Sequence, residues 1–201
     1  MKILIGTTNP SKIKRFQELL QDQSLSFITL NDLNIQEEPL ETGSNPKENA
    51  IIKAKFYSQY FDRVICNDSG LYFSHLPLND SRQPVLHIRT IQDHRLNDEE
   101  MIDYYSHLIE SLGGTVEAYY LDGFAVMYKG KLSSFMDIEL SKENRFYMVS
   151  QASSIKVPGW PLDSLSIDKK TGHYFSEDHQ ENIIKNDYNL HLTLFLKESL
   201  K

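Results

Sequence analysis

Hydrophobic residues near the start of the chain change their spacing within the first 20 positions. Residues 2–5 contain the apolar run Ile3-Leu4-Ile5 and are predicted to form a β-strand. The apolar residues that follow recur at helical spacing: Ile13, Phe16, Leu19 and Leu20. Because Asn9 is a favourable N-cap and Pro10 suits the first helical position, a helix is predicted over residues 10–20. Its amino end could receive a phosphate on unpaired backbone N–H groups, although an ordinary capped strand–helix unit has the same pattern.

Helical spacing returns twice further along the chain. A second helix is predicted after Asn45, with a buried stripe made of Ala50, Ala54, Tyr57 and Phe61. Asn49 and Lys53 are four residues apart and share a face beside that stripe. Glu48 lies where it either closes the helix cap or ligates a metal beside the preceding loop. A third helix is predicted over residues 97–112, because Asn97 and Glu100 form a capping-box pattern.

Strand-like segments surround these helices. Residues 26–30 and 63–67 are predicted strands, and Asp68 then follows at the carboxyl end of the second. Open α/β sheets hold ligand-binding groups at that position, although an Asx-turn at Asp68 is the simpler alternative. Later strands are predicted over residues 116–121, 124–128, 132–140 and 145–149, and a last helix begins at Ile183 or Asn189. The whole pattern predicts one mixed α/β domain over residues 1–201.

Composition narrows the function classes. The 201 residues carry a net charge of −7 and no run of Lys or Arg, which argues against binding a nucleic-acid polymer. An acidic protein can still bind a polyanion in a local basic pocket, especially with a divalent metal between them. The single cysteine, Cys66, lies in an apolar run and is interpreted as a buried small hydrophobic residue. No stretch has the length or apolarity of a membrane span or a signal peptide, so a cytoplasmic protein is expected.

Three segments in order carry a resemblance to a known family. They are Thr7-x-Asn9-x-x-Lys12, then Glu41-Thr42-Gly43 followed by Glu48-Asn49-Ala50-x-x-Lys53-Ala54, then Asp68-Ser69-Gly70-Leu71. Together they resemble the inosine triphosphate pyrophosphatase family, which hydrolyses deaminated purine nucleoside triphosphates. The resemblance covers the first third of the chain well and the rest loosely.

The resemblance implies a fold, a reaction and an assembly. The fold would be a central mixed sheet flanked by helices in two lobes, with a nucleotide cleft between the lobes. The reaction would release pyrophosphate from a nucleoside triphosphate and leave a nucleoside monophosphate, with Mg²⁺ bound. The protein would be a homodimer.

The resemblance also implies roles for individual residues. Asp68 would activate or orient the attacking water, and Lys53 would contact phosphate beside it. The metal ligands would be Glu41, Asp68 and Asn67. The remaining residues that would bind substrate are Thr7, Thr8, Asn9, Lys12, Ser69, Gly70, Trp160, Asp163 and Lys185. These roles are chemically sensible, because cations stabilise a departing pyrophosphate and a carboxylate positions water for in-line attack.

Departures from the family pattern concern the metal and the base. Asn67 stands where the family has a first acid before Asp68, and Leu40 stands where an acid often precedes Glu41. The family's terminal Ser-His-Arg is absent after Lys185, and only part of the Gly-Phe/Trp-Gly-Tyr-Asp-Pro segment is kept around Trp160. A pocket without donors for the purine oxygen cannot strongly prefer inosine over adenosine, so altered or relaxed base selectivity is predicted. The alternative is a catalytically weak or silent nucleotide-binding homologue.

Overall fold

The computed structural model describes residues 1–22, 24–178 and 187–201. Its helices are α1 (Pro10–Leu19), α2 (Pro46–Tyr57), α3 (Asp98–Ser111), α4 (Ile138–Glu143) and α5 (Asp187–Ser199). Its strands are β1 (Lys2–Ile5), β2 (Ser26–Thr29), β3 (Arg63–Phe73), β4 (Thr90–Ile91), β5 (His94–Arg95), β6 (Thr115–Tyr128), β7 (Lys131–Phe135), β8 (Phe146–Val149) and β9 (Ser166–Ile167). Short 3₁₀ turns occupy Asn31–Leu33 and Pro161–Ser164.

The described strands form a mixed sheet in the order β2-β1-β3-β6-β8-β9, with β7 paired to β6. Strand β1 is parallel to both β2 and β3, whereas β6 is antiparallel to β7 and β8. A separate two-stranded hairpin joins β4 to β5. A mixed sheet flanked by helices confirms the predicted fold class.

One compact unit contains residues 1–69, 122–138 and the described residues from 187 onward. On one face of its strands, α2 buries Ala50, Ala54 and Tyr57 against a cluster that includes Leu4 and Val64. On the other face, α1 packs against β6 through an edge-to-face pair of Phe16 and Phe124 with ring centroids 6.0 Å apart. The helix α5 joins that face, because Phe195 stacks on Phe135 of β7.

The second compact unit contains residues 70–121 and 139–178 of the described chain. Its core is formed by α3, which buries Met101, Tyr105 and Ile109 against apolar residues of β6 and β8. The predicted Asn97 cap is present as a full capping box: Asn97 accepts from the Glu100 N–H and Glu100 accepts from the Asn97 N–H. None of the described helices is long and apolar enough to cross a membrane.

Several predicted boundaries are wrong. Strand β3 does not stop at residue 67 but continues to Phe73, so Asp68 lies inside a strand. Likewise β6 is one strand where two were predicted, and residues 138–140 start α4 instead of extending β7. Polar residues lower local β-propensity, but pairing with neighbouring strands overrides that preference. Helix α2 ends at Tyr57, short of Phe61.

Candidate active site

The turn between β1 and α1 forms as its sequence predicts. The Asn9 side chain accepts a hydrogen bond from the Ser11 N–H at 2.9 Å, which caps the helix. Thr7 Oγ1 in turn accepts from the Asn9 N–H at 3.2 Å, while Thr8 is exposed. These contacts give Thr7 and Asn9 a structural role in the turn, next to Lys12 one turn into the helix.

Gly6 permits β1 to approach β3 closely at this turn. A Cβ at Gly6 would lie 2.4 Å from the Cys66 Sγ and 2.8 Å from the Tyr57 ring, so a larger residue does not fit. Cys66 itself is buried and free, as predicted from its apolar run. Burial raises the pKa of its thiol to about 12, which makes it an inert packing residue.

Asp68 is at the centre of a network with α2. Asn49 Nδ2 donates to Asp68 Oδ2 at 2.9 Å, and Lys53 Nζ lies 3.4 Å from Asp68 Oδ1. Lys53 also forms an ion pair with Glu41 at 2.6 Å. The predicted shared face of Asn49 and Lys53 is therefore confirmed, and both side chains are directed to the same carboxylate.

Asn49 also fixes the loop that carries Glu41. Its side chain is buried, and its Oδ1 accepts from the Gly43 N–H at 2.8 Å. A Cβ at Gly43 would lie 2.6 Å from that oxygen, so glycine is required for this contact. Glu48 is occupied in the helix cap, since it accepts from both the N–H and the hydroxyl of Ser44.

The two lysines respond differently to this environment. Burial lowers the pKa of Lys53, but the Asp68 and Glu41 carboxylates outweigh burial and raise that pKa above its ordinary value. Burial and the charge of Lys53 together lower the pKa of Lys12, although Asp68, Asp122 and Glu41 act in the opposite direction. The amino end of α1 therefore shares one electrostatic environment with Asp68, as the sequence motifs predict.

A second carboxylate, Asp122, was not among the predicted site residues. Arg15 Nη1 donates to Asp122 Oδ2 at 2.7 Å, so this carboxylate forms an ion pair with α1. Burial opposes ionisation of Asp122, but Arg15 and Ser69 hold the pKa of its carboxyl below the ordinary value. The signal in the sequence is an acid between the apolar residues 118–121 and 124–128 of β6, followed directly by Gly123.

Asn67 is separated from Asp68 by the alternation of the strand. Successive residues of an extended strand point to opposite faces, so Asn67 shares the face of Ser69, while Asp68 faces α2 with Cys66. Asn67 is almost fully buried, and within the described chain its Oδ1 has no hydrogen-bond partner. No group of three or more His, Cys, Asp or Glu in the described residues is placed to hold a metal ion.

The other predicted substrate-binding residues belong to the second unit or lie outside the described residues. Trp160 is partly buried next to Gly159, whose N–H donates to Asp98 Oδ2 at 2.9 Å. Asp98 also binds Arg89 at 2.9 Å, and Asp163 is buried in the 3₁₀ turn. In the same unit, Gly70 packs closely on Tyr72 and the Val85 carbonyl oxygen. Lys185 lies outside the described residues.

Comparison with known proteins agrees with these motifs. A model of the Ham1 family matches residues 3–135, and the chain belongs to that family. Proteins named dITP/XTP pyrophosphatase are similar in sequence to this chain. The one from Thermoanaerobacter pseudethanolicus is 39% identical over 77 residues, which are 38% of this chain and 39% of that protein. The one from Leptospira interrogans is 33% identical over 138 residues, which are 67% of this chain and 66% of that protein.

Solved structures show the same fold. The Staphylococcus aureus Ham1 protein aligns with a TM-score of 0.69 at 21% identity, covering 98% of this chain and 99% of that one. A HAM1 protein from Coxiella burnetii aligns with a TM-score of 0.71 at 20% identity, with the same coverage. The resemblance to the pyrophosphatase family is thus confirmed by sequence and by fold.

Proposed function

We propose that this protein hydrolyses nucleoside triphosphates, with non-standard purine nucleotides among its substrates, to a nucleoside monophosphate and pyrophosphate. The observation that carries this proposal is the contact of Asn49 and Lys53 with Asp68, together with the ion pair of Lys53 and Glu41. The Asp68 carboxylate also acts to raise the pKa of Lys12. Such a site combines a held carboxylate with cations, which suits water attack on a phosphoanhydride. Similar proteins from Thermoanaerobacter pseudethanolicus and Leptospira interrogans are named dITP/XTP pyrophosphatase, which supports the same substrate class.

Asp68 is the proposed acceptor of the proton from the attacking water. Asn49 and Lys53 each engage one of its carboxylate oxygens, which fixes its orientation and leaves a second lone pair on each oxygen. The water oxygen forms a bond to the α-phosphorus as the bond from that phosphorus to the bridging oxygen breaks, and pyrophosphate departs. Lys12 and Lys53 stabilise the negative charge that develops on the leaving group.

Mg²⁺ is proposed to be held by Glu41 and Asp68. Lys53 approaches one oxygen of each at 2.6 and 3.4 Å, so these two oxygens are at most about 6 Å apart. The Glu41 side chain is 41% exposed and therefore free to rotate toward an ion. This donor set fits, since Mg²⁺ commonly binds one or two carboxylates together with substrate phosphates. When bound, the ion would neutralise phosphate charge.

Base selectivity is proposed to be altered or relaxed. Trp160 and Asp163 are the predicted base-side residues, and the family's Ser-His-Arg is absent from the sequence after Lys185. Without those donors a pocket cannot discriminate strongly between purine oxo and amino groups. A homodimer with a single two-lobed domain, which the family resemblance implies, and a cytoplasmic location complete the proposal.

The test is a panel of ITP, XTP, dUTP and ATP with and without Mg²⁺, in which pyrophosphate and orthophosphate are measured separately. Pyrophosphate release that requires Mg²⁺ and is abolished in Asp68→Asn is expected. Asp32→Asn is the matched control, because Asp32 is an exposed carboxylate of the same unit that caps a local turn. Orthophosphate as the product would refute the proposed reaction, and a strong preference for ITP or XTP would refute the relaxed selectivity.

A catalytically silent nucleotide-binding homologue is the second candidate. It is favoured by Asn67, an uncharged amide where the family has an acid. Nucleotide binding without pyrophosphate release from any member of the panel would support it. Because Asn67 and Asp68 lie on opposite faces of β3, Asn67→Asp is expected to change Mg²⁺ affinity less than Glu41→Gln does.

A further inference from the structure

The backbone around Trp160 is held by two consecutive turns. Pro158 and Gly159 occupy the central positions of the first turn, which the Trp160 N–H closes by donating to the Val157 carbonyl oxygen at 2.9 Å. Gly159 has a φ of 82°, as a type II turn requires at its second central position. The Trp160 carbonyl oxygen accepts from the Asp163 N–H at 3.1 Å and so opens the following 3₁₀ turn. Both backbone polar groups of Trp160 are therefore engaged.

Asp98 connects this pair of turns to the first residue of α3. Its Oδ2 accepts from the Gly159 N–H at 2.9 Å, although the two residues are 61 positions apart. Arg89 Nη2 donates to Asp98 Oδ1 at 2.9 Å, while Arg89 Nη1 donates to the Leu96 carbonyl oxygen at 3.2 Å. The carboxylate thus joins a restrained guanidinium to the N–H that directly precedes Trp160.

The Asp98 contacts favour an ionised carboxylate. Burial acts to raise the pKa of Asp98, but the Gly159 N–H and Arg89 outweigh burial and hold that pKa below its ordinary value. A hydrogen bond to an ionised acceptor is stronger than one between neutral groups. The Arg89 and Asp98 side chains are 30% and 40% exposed, so the ion pair by itself adds little stability. What the carboxylate adds is a fixed direction for the Gly159 N–H, and with it for the backbone that carries the Trp160 side chain.

We propose that Asp98 is a positioning residue that fixes the turn at Gly159 so that the Trp160 indole stacks on the purine base. This inference rests on the proposed function, in which Trp160 lies on the base side of the substrate. Asp98 itself touches no substrate and acts through the Gly159 backbone. Trp160 is partly exposed, and stacking tolerates any base because every base has a flat face. A held indole therefore adds affinity for the base without choosing between purine oxo and amino groups.

Fluorescence provides the first measurement, since Trp160 is the only tryptophan of the sequence. An asparagine variant, Arg89→Met/Asp98→Asn, is compared with an alanine variant, Arg89→Met/Asp98→Ala. Both lack the ion pair, and they differ in whether residue 98 has an oxygen to accept from the Gly159 N–H. Without nucleotide, the alanine variant is expected to lose tryptophan anisotropy, and the asparagine variant is expected to keep the wild-type value.

Affinity for a nonhydrolysable inosine triphosphate analogue, measured by calorimetric titration, is the second readout. Trp160→Ala is expected to weaken binding by about 5-fold to 150-fold, the usual contribution of one stacked base. The alanine variant is expected to lose about 3-fold or more of the same contribution, and to add no further loss to Trp160→Ala. Inorganic tripolyphosphate has no base, so its affinity is expected to be unchanged in all these variants.

Glu99→Ala is the matched control. Glu99 is an exposed carboxylate in the same first turn of α3, so the variant removes one negative charge from this helix end. Its anisotropy and both affinities are expected to equal those of the wild type. If the alanine variant fails to fold, Asp98→Ser, which keeps a polar group one atom shorter, is measured in its place.

Three results would overturn the inference: wild-type anisotropy in the alanine variant, equal losses in the alanine and asparagine variants, or wild-type affinity of Trp160→Ala for the analogue. Failure of the proposed function is a separate outcome, because neither anisotropy nor binding of the analogue requires hydrolysis. If the wild type binds the analogue but releases no pyrophosphate from any triphosphate, the proposed reaction fails. The comparison of the two variants still decides the role of Asp98.

Discussion

Gly123 offers a sharp test of how β6 positions α2. A Cβ at this residue would lie 2.2 Å from the Lys47 backbone nitrogen and 2.3 Å from the Pro46 carbonyl carbon. Favourable contacts between such atoms need about 3.5 Å, so Gly123→Ala must move the first turn of α2 by about 1 Å. Overpacking of this kind costs about 3 kcal/mol, which corresponds to a melting temperature lower by about 6–12 °C for a chain of this length.

The same displacement is expected to reduce activity. Helix α2 carries Asn49 and Lys53, which contact Asp68 at 2.9 and 3.4 Å, and a shift of about 1 Å can cost about 100-fold in rate. Thermal denaturation and kcat/KM for the best triphosphate are the two measurements. Gly130→Ala is the control, because Gly130 has a positive φ of 75° but no neighbour within 4 Å of the added Cβ. It should cost about 1 kcal/mol of stability without changing kcat/KM. Wild-type stability and activity in Gly123→Ala would refute the reasoning.

Three further predictions concern backbone strain, burial and charge. Val85 has a φ of 50°, a backbone conformation that costs a β-branched residue about 1–2 kcal/mol. Val85→Gly should therefore raise the free energy of unfolding, measured by urea denaturation, by about 0.5 kcal/mol, and Val85→Ala should raise it by less. Burial raises the pKa of the Cys66 thiol to about 12. This thiol should therefore not react with a thiol reagent at pH 8 until urea unfolds the chain, and rapid labelling of the folded protein would contradict its burial. The pKa of Asp122 is held below its ordinary value by Arg15, so its ionised form stabilises the fold above about pH 4, and this stability is lost as pH falls through the depressed pKa. The difference in unfolding free energy between wild type and Asp122→Asn should therefore shrink from pH 7 to pH 3, and a constant difference would argue against the assignment.

The sequence was most informative where local chemistry decides the structure. Asn9, Asn45 and Asn97 each cap a helix as predicted, because a short polar side chain satisfies the free N–H groups of the first turn. The helical spacing of α2 also placed Asn49 and Lys53 on one face, and both meet Asp68. These features depend on residues a few positions apart, so they can be predicted from the chain alone.

Strand ends depended on partners distant in sequence. Residues 67–70 have low β-propensity and predicted a break after residue 67, yet β3 continues to Phe73. The same is true of β6, which runs through Asp122 and Gly123 although these residues separate the two predicted strands. In both strands, pairing across the sheet outweighs the local preference of the polar residues.

The sequence by itself determined the capped helices, the motifs around Lys12, Lys53 and Asp68, and the family resemblance they carry. Only the tertiary structure showed that Arg15 and Asp122, 107 residues apart, form a largely buried ion pair. Periodicity and capping report short-range geometry, whereas an ion pair between a helix and a strand exists only once the sheet has brought the two elements together. For the same reason, the strand alternation that separates Asn67 from Asp68 became evident only when β3 was seen to run through both residues.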